Sequence, residues 1–201
     1  DGRYLGTIGK VGCFSLQSNK IITTGQGGVV ATNDSEYFDM MRRIRDFGRA
    51  SNKEFIHIRE GYNLKFSDLA AALGLAQFDR LKERKRLLIE QREQYKKGLS
   101  SLKEVMLPDY RYGEIPLWVD ALVEDRKGLS EFLKKNDIIT RDCWPSIHRN
   151  PPYQYAGSDN DFPISSSISD NYLWLPNGPA ITKTDIHTVC NSMKEFYKKK
   201  S

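Results

Sequence analysis

The chain has 201 residues, 39% hydrophobic and 11% aromatic, enough to bury the core of one large domain or two small ones and too apolar for a disordered segment. No apolar run approaches the roughly 18 residues that a membrane-spanning helix needs, and DGRYLGTIGK lacks the apolar core of a secretory leader, so no membrane partner is expected. Much of the +5 net charge lies in LKERKRLLIEQREQYKK (81–97) and KKK (198–200). The first mixes Glu with Lys and Arg at helical spacing, as a solvated helix face does; with no RNP-like, zinc-finger or glycine-arginine pattern, no nucleic-acid partner is expected.

In chain order, VGCFSL (11–16) and GGVVAT (27–32) read as short strands. NDSEYFDMMRRIRDFG follows as a helix capped at Asn33, Asp34 or Ser35 and stopped at Gly48, with Phe38, Met41 and Ile44 along one side. Residues 49–66 read as a loop turning at Gly61. SDLAAALGLAQFDRLKERKRLLIEQREQYKKGL (67–99) reads as one long helix starting at a Ser67 or Asp68 cap, small and apolar in its first half and charged in its second. That change of character suggests a bridge between structural units, which places a boundary around 95–105. Short strands are expected around 105–123, then the helix KGLSEFLKKND, the strand IITRDC and a long loop, HRNPPYQYAGSDNDFP. SSSISDNYLWLP reads as a short helix running into a strand. The last helix is capped at Thr182 or Thr184 and carries Ile186, Val189, Met193 and Phe196 on one face. Cys13, Cys143 and Cys190 are odd in number, widely spaced and without a CxxC pair, so free thiols in a reducing cytoplasm and no metal site are expected.

One stretch departs from the average. Between Val11 and Asp34 the only charged side chain before the closing aspartate is Lys20, whereas 28% charged content predicts about six or seven over such a length. An amine in neutral, partly apolar surroundings is more readily a nucleophile toward a carbonyl. Ser15, Thr23 and Thr24 are hydroxyls suited to an anionic oxygen. The other reading of the same residues is a hairpin lysine beside glycines that serve a turn.

The order FSLQSNKIITTGQGGVVATND resembles the cofactor-lysine segment of the DegT/DnrJ/EryC1/StrS sugar aminotransferases, F-S-x-x-x-x-K-x-[IL]-T-[TA]-G-E-G-G. The resemblance implies that Lys20 is the Schiff-base lysine of pyridoxal 5'-phosphate (PLP) and that Ser15 holds the cofactor's phosphate. Gln26 stands where the family has Glu. EGYNLKFSDLAAALGLAQFDRL resembles the family's G-Y-N-x-R stretch and the helix after it. This implies that Asn63 contacts the phosphate in the neighbouring subunit of a homodimer, and that Lys65 stands at the position of an arginine that contacts amino donor or sugar. By residue type alone, Asn63 is a turn residue and Lys65 a surface charge. TRDCWPSIHRNPPY resembles the T-R-P-x-x-x-P-[LM]-H-x-Q-P-x-Y region, implying that Arg141 and His148 face the substrate; by residue type alone, His148 is a loop histidine bonded to backbone and Arg141 a surface residue. LWLPNGPAITKTDIHTVCNSMKEF resembles the family's ending.

The resemblance covers essentially the whole chain and implies an α/β fold, the carboxy-terminal half of a fold-type I PLP enzyme. Residues 1–98 would be the end of the large PLP-binding domain with the bridging helix, and 99–201 the small α+β domain. The implied activity is perosamine synthase-like transamination of a nucleotide-linked keto-deoxysugar, with glutamate as amino donor, in sugar-antigen or surface-polysaccharide biosynthesis. Two rivals stand beside it. One is a non-catalytic fragment or degenerate homologue lacking the amino-terminal half, which supplies the carboxylate for the pyridinium nitrogen. The other is a PLP-dependent sugar 3-dehydratase, in which histidine replaces the lysine; Lys20 argues against that reading.

Overall fold

The computed structural model describes residues 2–51, 54–111 and 113–200. The loop expected over 49–66 and the strands expected around 105–123 therefore run across Asn52, Lys53 and Tyr112, which lie outside the described residues. Two compact units divide the chain, Asp1–Lys82 and Glu83–Ser201, here called unit 1 and unit 2. The division falls inside the segment expected to form one bridging helix.

In unit 1, strands β1 (Gly12–Ser15) and β2 (Gly28–Ala31) pair antiparallel, Gly12 opposite Ala31 and Ser15 opposite Gly28. Helix α1 (Ser35–Arg45) is capped by Asp34, whose carboxylate accepts the N–H groups of Glu36 and Tyr37. It ends at Asp46, before the expected stop, because Phe47 and Gly48 both take left-handed backbone, with φ of 59° and 74°. Helix α2 (Asp68–Asp79) starts at Ser67, whose hydroxyl accepts the Ala70 N–H at 3.2 Å.

The long helix expected over 67–99 is two helices. The chain leaves helical geometry at Arg80 (φ −94°, ψ 4°), and α3 (Leu81–Leu99) begins afresh. The composition changes from small and apolar to charged at this same point.

Unit 2 is a four-stranded antiparallel sheet backed by helices. β3 (Val105–Met106), β4 (Val119–Val123), β5 (Arg141–Asp142) and β6 (Tyr172–Leu175) lie in the order β3-β4-β6-β5. Helices α4 (Arg126–Lys135), α5 (Pro163–Asn171) and α6 (Lys183–Lys198) complete it. The alternation VDALV sends Val119, Ala121 and Val123 inward, where they meet Tyr95 and Leu99 of α3, Leu129 and Leu133 of α4, and Ile186, Val189 and Met193 of α6. The apolar face expected on the last helix is this buried face. Its start is the Thr182 cap, closed into a reciprocal box by Asp185. Gly98 lets α3 approach α6: a methyl group there would lie 2.6 Å from the Cys190 sulfur. The expected strand IITRDC shrinks to two paired residues, and the expected loop 148–163 contains two short 3₁₀ segments, Ile147–Arg149 and Pro151–Ala156. All three cysteines are free. Among the described residues no helix is long and apolar enough to cross a membrane.

Candidate functional site

Ser15 ends β1, and the connection to β2 is pinned at its base. The Leu16 carbonyl accepts both the Thr24 N–H (3.0 Å) and the Thr23 hydroxyl (3.1 Å), while the Leu16 N–H donates to the Gly27 carbonyl at 2.9 Å. The buried Thr24 donates its hydroxyl to the Gln26 carbonyl at 2.6 Å, and the Gly25 N–H donates to the Thr23 hydroxyl at 2.9 Å. Above this base the Lys20 N–H closes a turn onto the Gln17 carbonyl at 3.0 Å, and the Lys20 side chain is half-buried. Gly27 is required twice over. Its φ of 118° is left-handed, and a methyl group there would lie 2.5 Å from the Phe66 ring. Exposed Ser15 accepts the Gln17 N–H at 3.3 Å, and its own hydroxyl donates to no described residue, so it remains available to an anion.

Asn63 and Lys65 lie on a segment paired with the end of α1. Tyr62 N–H donates to Ile44 O (2.7 Å), Phe47 N–H to Tyr62 O (3.0 Å) and Leu64 N–H to Arg45 O (3.0 Å), with Asn63 bridged to Asp46. Asn63 therefore sits in extended, paired backbone. The Lys65 ammonium lies 2.9 Å from the Asp46 carboxylate and 4.1 Å from the centroid of the Phe47 ring. That hydrogen bond holds the Asp46 carboxyl below the usual carboxylate range. Lys65, Thr24 and Gln26 help to line a cavity of about 1080 Å³, together with Phe38, Met41 and Ile44 from the apolar side of α1. Ser15, Lys20 and Asn63 are not part of that lining.

Arg141 and His148 belong to unit 2. Arg141 is exposed on β5, its guanidinium 5.3 Å from the ring centroid of Trp174 and 5.9 Å from that of Trp144. His148 is buried, stacked on Phe162 at 4.8 Å between ring centroids. Its Nε2 lies 2.8 Å from Asp159 and 3.3 Å from the Ser166 hydroxyl, so its partners are side chains, not the backbone expected from residue type. Asp159 also receives Arg149 through Nε (2.8 Å) and one terminal nitrogen (2.9 Å), and Arg149 reaches Asp170 as well. Arg149 first, then His148 and Ser166, hold the Asp159 carboxyl far below its ordinary value. This clamp was not visible in the sequence, because its members are spread from 148 to 170 with no motif spacing. The tryptophans around Arg141 were also missed as chemistry, although Trp144 stands within TRDCWPSIHRNPPY.

The sequence profile of the DegT/DnrJ/EryC1/StrS aminotransferase family matches residues 1–194. The chain is 29% identical over 203 residues to a GDP-perosamine synthase of Vibrio cholerae, covering 98% of this chain and 55% of that protein. It is 31% identical over 206 residues to a GDP-perosamine synthase of Escherichia coli O157:H7, covering 99% and 55%. Among solved structures, the aminotransferase TlmJ from Streptoalloteichus hindustanus matches all of this chain and 55% of its own, at 26% identity and a TM-score of 0.90. The chain thus spans about half the length of the relatives it matches, and its mixed α/β architecture corresponds to the carboxy-terminal part of their fold.

Proposed function

Because the chain belongs to the DegT/DnrJ/EryC1/StrS aminotransferase family, we propose that it carries the catalytic lysine of a PLP-dependent enzyme that transaminates a nucleotide-linked keto-deoxysugar, with glutamate as amino donor. The observation that carries this reading is the pinned β1–β2 connection, which presents an amine (Lys20) and an uncommitted hydroxyl (Ser15) from a short, internally hydrogen-bonded loop. This donor set fits a phosphorylated aldehyde. When bound, PLP supplies an aldehyde that captures amines and an electron sink for the electrons released at the donor's α-carbon.

Lys20 Nζ holds the cofactor in the resting enzyme, accepts the proton from the donor's α-carbon in the first half-reaction, and delivers one to the sugar carbon that gains nitrogen in the second. The Ser15 hydroxyl donates to the phosphate. Asn63 serves the phosphate of the other subunit in a homodimer. Lys65, Arg141 and His148 serve the substrates: the Lys65 ammonium, now held by Asp46, would be shared with the donor's carboxylate, Arg141 offers an exposed guanidinium, and His148 fixes the loop that Asp159 anchors. In this reading residues 1–98 end the large domain, 99–201 form the small one, and the enzyme works in the cytoplasm on polysaccharide precursors. The carboxylate for the pyridinium nitrogen belongs to the part of the longer relatives that this chain does not match, so the chain alone binds PLP poorly and does not turn over. Lys20 disfavours the dehydratase reading.

The test adds PLP to the chain with and without the relatives' amino-terminal half, followed by borohydride and peptide mass mapping. A trapped adduct at Lys20 that requires the added half and disappears in Lys20→Ala is expected. No adduct with the half supplied would sink the transaminase reading, and turnover by this chain alone would refute the expected dependence on that half.

A further inference from the structure

One face of the unit 2 sheet gathers three tryptophans and a cation. Asp120 on β4, Trp174 on β6 and Arg141 on β5 are successive cross-strand partners, so their side chains share a face. Trp174 is buried beneath Trp118, stacked at 4.8 Å and 28°, and its indole N–H donates to Asp120 at 2.7 Å. Tyr110 donates its hydroxyl to the other Asp120 oxygen at 2.6 Å. Asp120 is thus committed to neutral donors. Trp144 packs edge-on against Trp174 (4.6 Å) and Trp118 (5.8 Å), yet 55% of it remains exposed. Its position is held from the backbone: Pro145 restricts its conformation, and its carbonyl accepts the hydroxyl of buried Ser169 at 3.2 Å. The Arg141 guanidinium lies over the Trp144 and Trp174 rings and makes no ion pair among the described residues. An exposed indole locked in place beside an unneutralised guanidinium has the two elements that a ring bearing a diphosphate needs: a π-face and a cation.

We propose that Trp144 and Arg141 form a nucleoside diphosphate subsite, Trp144 stacking on the nucleobase and Arg141 pairing with a phosphate. This deepens, and rests on, the nucleotide-sugar reading above. Trp118 and Trp174 are positioning residues that keep the Trp144 ring upright, and Asp120 orients Trp174 beneath it. The subsite lies wholly within unit 2, so its binding is measurable independently of PLP capture at Lys20 in unit 1.

The test is calorimetric titration of the chain with guanosine diphosphate, thymidine diphosphate and inorganic pyrophosphate, with tryptophan fluorescence read in parallel. Saturable quenching is expected, with a nucleoside diphosphate binding at least about tenfold tighter than pyrophosphate. Trp144→Ala should weaken the nucleotide about tenfold or more and leave pyrophosphate unchanged, while Trp144→Phe, which keeps a π-face, should recover most of the loss. Arg141→Gln should weaken both ligands. A chain that binds no nucleotide, a Trp144→Ala variant that binds it like the parent, or pyrophosphate binding as tightly as the nucleotide would each overturn the subsite. If PLP is trapped at Lys20 and no nucleotide binds, the subsite fails alone; if nucleotide binds and Lys20 captures no PLP with the relatives' amino-terminal half supplied, the transaminase reading fails alone.

Discussion

In unit 2 the helices turn charged faces outward and bury Tyr95, Leu129, Leu133 and Met193 against β4 and β6, each with no exposed surface. In unit 1 side chains of the same kind stand in solvent: Leu69 is 84% exposed, Phe78 60%, Phe38 58% and Val30 53%, and α1 and α2 bury no residue. Among the described residues β1 and β2 pair only with each other. A helix or strand gains most of its stability by burying its apolar face, so unit 2 draws more of its stability from its own core than unit 1 does. The contrast separates two kinds of information. Unit 2 encloses a core of its own; unit 1 has its helix caps and its hydrogen-bonded β1–β2 loop in place with many of its apolar side chains exposed.

The largest test of the contrast is limited proteolysis with mass mapping. Cleavage in unit 1 should outpace cleavage in α4 and α6 by on the order of a hundredfold or more, leaving a survivor within 83–201. Equal cutting in both units would break the comparison. Next in size are core substitutions followed by urea unfolding. Met193→Ala should cost about 2–5 kcal/mol, because its side chain is fully enclosed. Leu69→Ala should stay within about 0.5 kcal/mol, because the leucine is already in water. The smallest effect is acid dependence. The folded Asp159 carboxyl titrates below its unfolded value of about 3.9, so its contacts with Arg149, His148 and Ser166 stabilise fully above that pH and fade as pH falls through the lower folded value. Thermal melts from pH 2 to 6 should therefore show wild type above Asp159→Asn near pH 6 and the gap narrowing below about pH 4. The gap stays modest because the carboxylate is 55% exposed and solvent screens it. A gap independent of pH would remove the charged clamp.

Elements with strong local signals were legible before any coordinates. The Asp34, Ser67 and Thr182 caps begin α1, α2 and α6 where the sequence places them, and the spacing of Ile186, Val189 and Met193 describes the face that α6 buries. The break at Arg80 was not legible, since a continuous run of helix formers carries no stop residue and only backbone geometry interrupts it. Nor was the shrinkage of IITRDC to two residues, because strand length is set by how far a partner strand runs alongside.

For the candidate site, the chemistry expected rests on sequence alone: an isolated lysine preceded by a serine and followed by TTGQGG, in an order that resembles one aminotransferase family. Covalent order along a short loop is local, and the hydrogen bonds from Leu16 to Thr24 that shape it are local too. Tertiary structure decided what each long side chain faces. It pairs Lys65 with Asp46, encloses His148 with Asp159, and lays Arg141 across Trp144 and Trp174. Trp144 is a near neighbour of Arg141 in sequence, but Asp46, Asp159 and Trp174 come from other segments, Trp174 lying 33 residues from Arg141, and are brought in by strand register and packing that no single stretch of sequence contains.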